Sequence, residues 1–213
     1  MSTDVKSSNL PVSRKLFGLQ VAIFGWNAAL AHAEELALSK CQPATIAFAD
    51  RGKIAASLLG FARCDLTERR LLLPSGGAFL RLLLRLVCRK QPVEAMFSPA
   101  RFISSLLTYF AEPRRIGVIC DDESRLKALC VHFSRHAPWH ELVAIAPDAN
   151  LSGRLDLVIV DGADKAAARR IEQRLEGADI GLVIMAGRRL SMLALPNPAY
   201  TRTHPAISGP SFA

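Results

Sequence analysis

Two short polar turns, each directly after an apolar run, carry residue types that bind phosphate and sugar groups. The first turn, Ser75, Gly76 and Gly77, follows the run Leu71–Leu73. A helix is predicted to start just after it, so the turn would point backbone N–H groups at an anion. Arg81 lies about one helical turn further on. The pattern predicts a phosphate-binding turn, with an ordinary strand-to-helix turn as the alternative.

The second turn contains Asp161, Gly162 and Lys165 and follows the apolar run Asp156–Val160. In α/β folds, ligands bind beyond the carboxyl ends of the strands. Asp161 could accept a hydrogen bond from a ribose or sugar hydroxyl, and Lys165 could pair with a phosphate. The alternative is a helix start capped by an aspartate, with a solvated lysine.

Two other polar clusters invite a metal hypothesis that the pattern does not favour. The acidic residues 121–123 could bind a metal-bridged diphosphate, but helix capping explains them better. His132, His136 and His140 recur every four residues, yet Pro138 interrupts the helical spacing and there is no HExxH pattern. We therefore expect no metal and no cofactor.

Ser75 is not expected to be a nucleophile, because no Gly-x-Ser-x-Gly sequence surrounds it. Arg81, Arg85 and Arg89 form a basic stripe on a Leu-rich segment. Such a stripe would suit an anionic membrane surface. The alternative is the solvent-facing side of an ordinary amphipathic helix.

Composition limits the class of protein. The chain has 213 residues, 50% of them hydrophobic and 22% charged, which is typical of one globular domain with a filled core. The formal net charge of +8 favours acidic partners such as phosphates, nucleotide sugars or anionic lipids. No nucleic-acid-reading motif is present, so we expect no nucleic-acid partner.

Several features predict a cytoplasmic protein. No apolar run is long enough to span a bilayer, and the polar N-terminus lacks the apolar core of a signal peptide. The scattered cysteines are expected to be reduced, buried thiols. They are Cys41, Cys64, Cys88, Cys120 and Cys130.

Apolar runs alternate with helical segments along most of the chain, which predicts an α/β, Rossmann-like layered fold with a mostly parallel sheet flanked by helices. We expect a flexible arm at 1–15, a single α/β domain at 16–194 and a Pro-rich disordered tail at 195–213. The predicted strands are Leu16–Phe24, Thr45–Ala49, Leu71–Leu73, Ile116–Cys120, Leu142–Ala146, Asp156–Val160 and Ile180–Met185. The predicted helices are Ala28–Ser39 with Asn27 as cap, Lys53–Phe61, Ala78–Lys90, Ala100–Ala111 after Ser98-Pro99, Ser124–His136 capped by Asp122, and Ala166–Leu175 capped by Asp164.

Four segments carry a resemblance to a known family. They are Leu16–Leu36, the turn Leu73-Pro74-Ser75-Gly76, Arg115–Leu129 and Leu155–Arg170. In this order they resemble the WecG/TagA/CpsF family of glycosyltransferases. The resemblance implies transfer of a sugar, without a metal, from a UDP-sugar to a polyprenyl-diphosphate-linked acceptor in bacterial cell-surface or extracellular polysaccharide biosynthesis. It also implies a peripheral location at the inner face of the cell membrane.

The chain departs from the family's pattern at its polar positions. Ser75 stands where the family has an acid, and a hydroxyl cannot replace a carboxylate as general base. The family's Thr-x-Asn pair corresponds to Ala47 and Ala49, and its arginine to Ala95. Cys120-Asp121 replaces a glycine pair, and Asp164-Lys165-Ala166 keeps only the lysine of Pro-Lys-Gln.

The catalytic residues are therefore unknown, and two hypotheses follow. Either the chain is a diverged glycosyltransferase that binds a nucleotide sugar and a lipid-linked acceptor, or it is a non-catalytic pseudoenzyme, a protein partner or regulator in polysaccharide assembly. The substrate-binding candidates are Ser75, Gly76, Gly77, Asp161, Gly162 and Lys165. Both hypotheses expect positions 47, 49, 75 and 95 to line one cleft. A third option, an unrelated Rossmann-like nucleotide binder, has no G-x-G-x-x-G sequence to support it.

Overall fold

The structure is a computed structural model that describes residues 12–16, 19–39, 43–49, 70–77, 81–82, 95–149, 151, 153–162, 165–175, 177–190 and 192–193. The predicted helix 53–61 and the tail 195–213 lie outside these residues. Of the predicted helix 78–90, only residues 81–82 are described, and they are helical.

A six-stranded parallel sheet forms the centre of the described part of the chain. Its strands lie in the spatial order β4-β3-β8-β7-β5-β6. Every neighbouring pair is parallel. The α/β layered fold predicted from the alternating pattern is confirmed. The strands are β3 Ala44–Ala49, β4 Arg70–Pro74, β5 Arg115–Cys120, β6 Glu141–Ile145, β7 Leu155–Asp161 and β8 Ile180–Met185.

A separate two-stranded antiparallel sheet precedes the main sheet. It consists of β1 Val12–Leu16 and β2 Leu19–Ile23, which pair as a hairpin. The sequence predicts one strand over Leu16–Phe24 and an arm up to residue 15. The structure instead divides this region into two strands, and residues 12–15 belong to β1 rather than to the arm.

Four helices are described in full: α1 Trp26–Leu38, α2 Pro99–Tyr109, α3 Glu123–His136 and α4 Lys165–Leu175. Asp122 caps α3 as predicted, because its side chain accepts a hydrogen bond from Arg125 N at 2.9 Å. The prediction of Asn27 as the cap of α1 is wrong, since Gly25 occupies the N-cap position and Asn27 lies in the first turn. No helix within the described ranges is long and apolar enough to cross a membrane.

The helices cover the two faces of the sheet unequally. Helices α1, α2 and α3 pack on one face, here called the α1 face, with Phe102 and Phe133 fully buried there. Helix α4 packs on the opposite α4 face, where Ile171 and Leu175 contact the core that includes Val158. Since both faces are covered, the strands are apolar throughout instead of alternating.

Candidate functional site

The carboxyl ends of the parallel strands meet along one side of the sheet, here called the carboxyl edge. Ser75 follows β4, Asp121 follows β5, Asp161 ends β7, and the turn 186–190 follows β8. Because β4 lies at one side of the sheet and β5 near the other, this edge spans most of the sheet's width. It is the place where an α/β fold of this kind would bind a ligand.

Ser75 links β4 to the turn after β8. It is only 3% exposed. Its backbone N–H donates to Ala49 O at 2.8 Å, which extends the pairing of β4 with β3. The guanidinium of Arg189 donates to its hydroxyl oxygen at 2.8 Å. The hydroxyl thus has a structural partner, whereas Gly76 and Gly77 beside it are exposed.

Asp161 is held inside the protein at the same edge, and its side chain has no exposed surface. Leu190 N donates to Oδ1 at 3.1 Å. Arg125 Nε lies 3.2 Å from Oδ2. Burial raises the pKa of Asp161, and the Leu190 hydrogen bond and the Arg125 charge only partly oppose this effect. The carboxylate therefore holds the turn after β8 in place and does not reach a ligand directly.

Arg125, in the first turns of α3, connects three side chains of the edge. Besides Asp161, it donates from Nε to Cys120 Sγ at 3.1 Å and from a terminal nitrogen to Asp121. Burial raises the pKa of the Cys120 thiol, as expected for a buried reduced cysteine. Arg125 is not among the candidate residues that the sequence patterns indicate. Its spacing of four residues from Asp121 was the available signal.

The turn after β8 adds two further arginines, which no sequence motif indicates. Gly187 has φ +63°, a left-handed conformation that favours glycine. Arg188 follows it, with its side chain 72% exposed and a terminal nitrogen 3.9 Å from Asp121 Oδ2. Arg189 reaches the other way, to Ser75. One turn therefore directs guanidinium groups toward both ends of the carboxyl edge.

Gly162 is required by the close approach of its neighbours. It has φ +120°, and a Cβ atom there would lie 2.3 Å from Asp121 Oδ1. Lys165 is the first residue of α4. Asp164, predicted to cap that helix, lies outside the described residues.

Positions 47, 49, 75 and 95 do not line one cleft. Ile46 and Phe48 belong to the α1-face core. Side chains alternate along a strand, so Ala47 and Ala49 point to the opposite face. In agreement, Ala47 pairs with Met185, which packs against the α4-face core. Ala95 packs on the α1 face.

The remaining polar clusters have structural roles. His136 Nε2 lies 3.1 Å from Ser104 O, and burial lowers the pKa of His132. Arg114 N donates to Nδ1 of the buried His140. Glu123 is the first residue of α3 and pairs with Lys127 one helical turn later, at 2.7 Å. This agrees with the interpretation of residues 121–123 as the start of a helix. Over the described ranges, no three His, Cys, Asp or Glu residues could hold a metal ion together.

No protein-family model matches this chain, and no curated protein matches it significantly. The resemblance to glycosyltransferases therefore rests on the quoted segments alone. The expectation that positions 47, 49, 75 and 95 share one cleft is wrong, so these positions do not support the correspondence with the family's site. The geometry adds a carboxyl edge with three guanidinium groups and exposed glycine backbone, where an anion could be bound. Its acids are buried or paired with arginines.

Proposed function

We propose that this chain is a non-catalytic, glycosyltransferase-like protein. It binds a nucleotide sugar and acts as a partner or regulator in bacterial cell-surface or extracellular polysaccharide assembly. Its location in this proposal is the cytoplasm, peripheral to the inner face of the membrane, close to a lipid-linked acceptor. The formal charge of +8 suits such anionic surroundings.

The observation that carries the proposal is the state of Ser75 and Asp161. A general base must come within hydrogen-bond reach of the substrate and accept its proton. Ser75 cannot do so at neutral pH, and its hydroxyl is already bonded to Arg189. Asp161 has no exposed side-chain surface, since it binds Arg125 and Leu190 N. Both positions contribute to structure instead of turnover.

The ligand in this proposal binds by its phosphates. Gly76 and Gly77 are exposed and directly follow Ser75, whose hydroxyl accepts a hydrogen bond from the Arg189 side chain. Arg188 is the most exposed of the three guanidinium groups described at this edge, with 72% of its side chain accessible to solvent beside Asp121. Guanidinium groups bind phosphate with charge-assisted, often bidentate hydrogen bonds.

The test is a titration of the protein with UDP and with a UDP-N-acetylhexosamine. Binding is measured by the change in melting temperature and by calorimetry. We expect the melting temperature to rise, because the ligand binds only the native state. Arg188→Ala should weaken UDP binding about tenfold, the loss expected for one charge-assisted contact. Arg135→Ala is the matched control, since Arg135 is an exposed arginine at the far end of α3. An unchanged melting temperature at millimolar UDP-sugar contradicts the proposal.

A second candidate, a diverged but active transferase, is favoured by one observation. Asp121 is 35% exposed at the carboxyl edge, next to Arg188. Of Asp121 and Asp161, the two described aspartates at the ends of β5 and β7, Asp121 alone has access to solvent and is therefore the base in this candidate. UDP release in the presence of a polyprenyl-diphosphate-linked acceptor, abolished in Asp121→Asn, would favour this candidate over the non-catalytic one.

A further inference from the structure

The two ends of the carboxyl edge differ in the charges that face their arginines. At the β4 end, the Arg189 guanidinium donates to the neutral hydroxyl of Ser75. At the β5 end, Arg125 and Arg188 both face the carboxylate of Asp121. An anion that binds at the β5 end therefore meets a negative charge as well as guanidinium groups.

Asp121 is held at this end of the edge by its neighbours. It directly follows β5, and its side chain is 35% exposed. Oδ1 accepts a hydrogen bond from a terminal nitrogen of Arg125, and Oδ2 lies 3.9 Å from a terminal nitrogen of Arg188. Gly162 leaves room for Oδ1, since a Cβ atom there would overlap it. The carboxylate is thus fixed next to the arginine that the proposed function assigns to phosphate binding.

A phosphate bound to that arginine would lie close to the carboxylate. Charge-assisted N–H···O hydrogen bonds have donor–acceptor distances of about 2.7–2.9 Å. A phosphate oxygen on the Arg188 nitrogen that faces Asp121 would therefore lie at most about 7 Å from Oδ2. Because the Debye length at physiological ionic strength is about 8 Å, salt does not fully screen the repulsion between the two negative groups.

Free UDP and a UDP-sugar differ in charge at neutral pH. In the UDP-sugar, each phosphate is bonded to carbon or phosphorus substituents on both sides and carries a single negative charge. The terminal phosphate of UDP has one free end, which ionises a second time at about pH 6, as in a phosphate monoester. We propose that Asp121 is a specificity-determining residue that disfavours this additional charge, so that the carboxyl edge selects the intact nucleotide sugar over free UDP.

This inference rests on the proposed function and adds a selectivity to it. UDP is what remains of the nucleotide sugar after the sugar has been transferred, so a regulator that responds to the supply of nucleotide sugar has to distinguish the two. Arg188 by itself does the opposite, because a guanidinium attracts the more highly charged ligand more strongly. The neighbouring Asp121 offsets that preference.

The test compares the Kd values of UDP and of a UDP-N-acetylhexosamine, measured by calorimetry with the full chain and with Asp121→Asn. Removing the carboxylate should tighten UDP binding about three- to tenfold more than UDP-sugar binding, the size expected for one additional charge about 7 Å away in a largely solvated site. Asp122→Asn is the matched control, because it removes the same charge from the side chain that caps α3. Its ratio of the two Kd values should stay near that of the parent.

A salt series with the unaltered chain provides a second readout. The ratio of the UDP Kd to the UDP-sugar Kd should fall as the salt concentration is raised to about 1 M, where the Debye length is about 3 Å. Equal tightening of both ligands by Asp121→Asn would overturn the selectivity and leave the proposed function standing. Weaker binding of both ligands would also overturn it, because Asp121 would then contact the ligand directly. If neither ligand binds the parent or the variant, the proposed function fails and this inference fails with it.

Discussion

At the scale of single residues, Asp161 shows how a polar group is accommodated in an apolar sheet. A buried carboxylate is costly unless it is paired and hydrogen-bonded. Here Arg125 and the backbone N–H of Leu190 supply those contacts. Removing one partner of such a buried pair is strongly destabilising. Asp161→Ala should therefore cost about 3 kcal/mol of unfolding free energy, because it leaves both donors without this acceptor.

The pH dependence of stability provides a sharper prediction for the same residue. Burial raises the pKa of Asp161 above its ordinary value of 3.8. The native state therefore holds this proton more tightly than the unfolded state does. The resulting stability is fully present below pH 3.8 and is lost as pH rises through the raised pKa. Asp161→Asn has no such titration, so the parent's stability relative to this variant should fall with rising pH.

Urea unfolding of both proteins over an acid-to-neutral pH series measures this difference. Asp122→Asn is the control, because the pKa of Asp122 is lowered by hydrogen bonds from Ser124 and Arg125 N. The stability that the Asp122 carboxylate contributes therefore has the opposite pH dependence and is lost as pH falls. If the free energy of unfolding of the parent, relative to that of Asp161→Asn, instead increases with rising pH, pairing with Arg125 outweighs burial.

At the scale of elements, the packing of α1 on β8 depends on a missing side chain. A Cβ atom at Gly181 would lie 1.9 Å from the carbonyl oxygen of Ala37, near the end of α1. Backbone atoms cannot move aside as the end of a flexible side chain can. Ala33 and Ala37 are fully buried, so the helix contacts the sheet through its smallest residues.

Gly181→Ala should consequently lower the free energy of unfolding by about 1–3 kcal/mol, since α1 must shift away from β8. Gly177→Ala is the matched control, because an added Cβ there meets nothing within 4 Å. Chemical denaturation of both variants measures the effect. Equal stabilities of the two variants would contradict the close contact between α1 and β8.

Helix starts differ in how far local sequence determines them. Asp122 accepts hydrogen bonds from Ser124 and Arg125, both within three residues, so its capping role was predictable. At α1, Gly25 takes the N-cap position without any side-chain hydrogen bond. Trp26 begins the helix and stacks on Phe97, with ring centroids 5.4 Å apart. This long-range contact is invisible in the local pattern that suggested Asn27.

At the scale of the molecule, the sheet joins the two faces into one structure. Phe102 packs edge-on against Trp26, Phe48 and Phe97 on the α1 face. Strands β7 and β8 contribute side chains to both faces. Val158 and Val183 pack on the α4 face, whereas Leu157 and Leu182 pack on the α1 face. Neither face can lose its packing without exposing the strands that support the other.

We therefore expect a single cooperative unfolding transition in urea. Fluorescence of the two tryptophans, Trp26 and Trp139, should change at the same urea concentration as the far-UV circular dichroism. Trp139→Phe leaves Trp26, which packs against the α1-face core, as the reporter. Two separate transitions would show that the two faces unfold independently.

The strands of the described parallel sheet and the helices beside it follow from local patterns, because continuous apolar runs and capping residues act over a few neighbours. The same patterns also indicate the turns at Ser75 and Asp161. The roles of those two side chains depend on contacts that form only in the folded chain. Arg189 lies 114 residues from Ser75 along the chain, and Leu190 lies 29 residues from Asp161. Parallel strands bring their carboxyl ends together regardless of such separations, so the partners that bury and satisfy these side chains emerge only when the sheet is assembled.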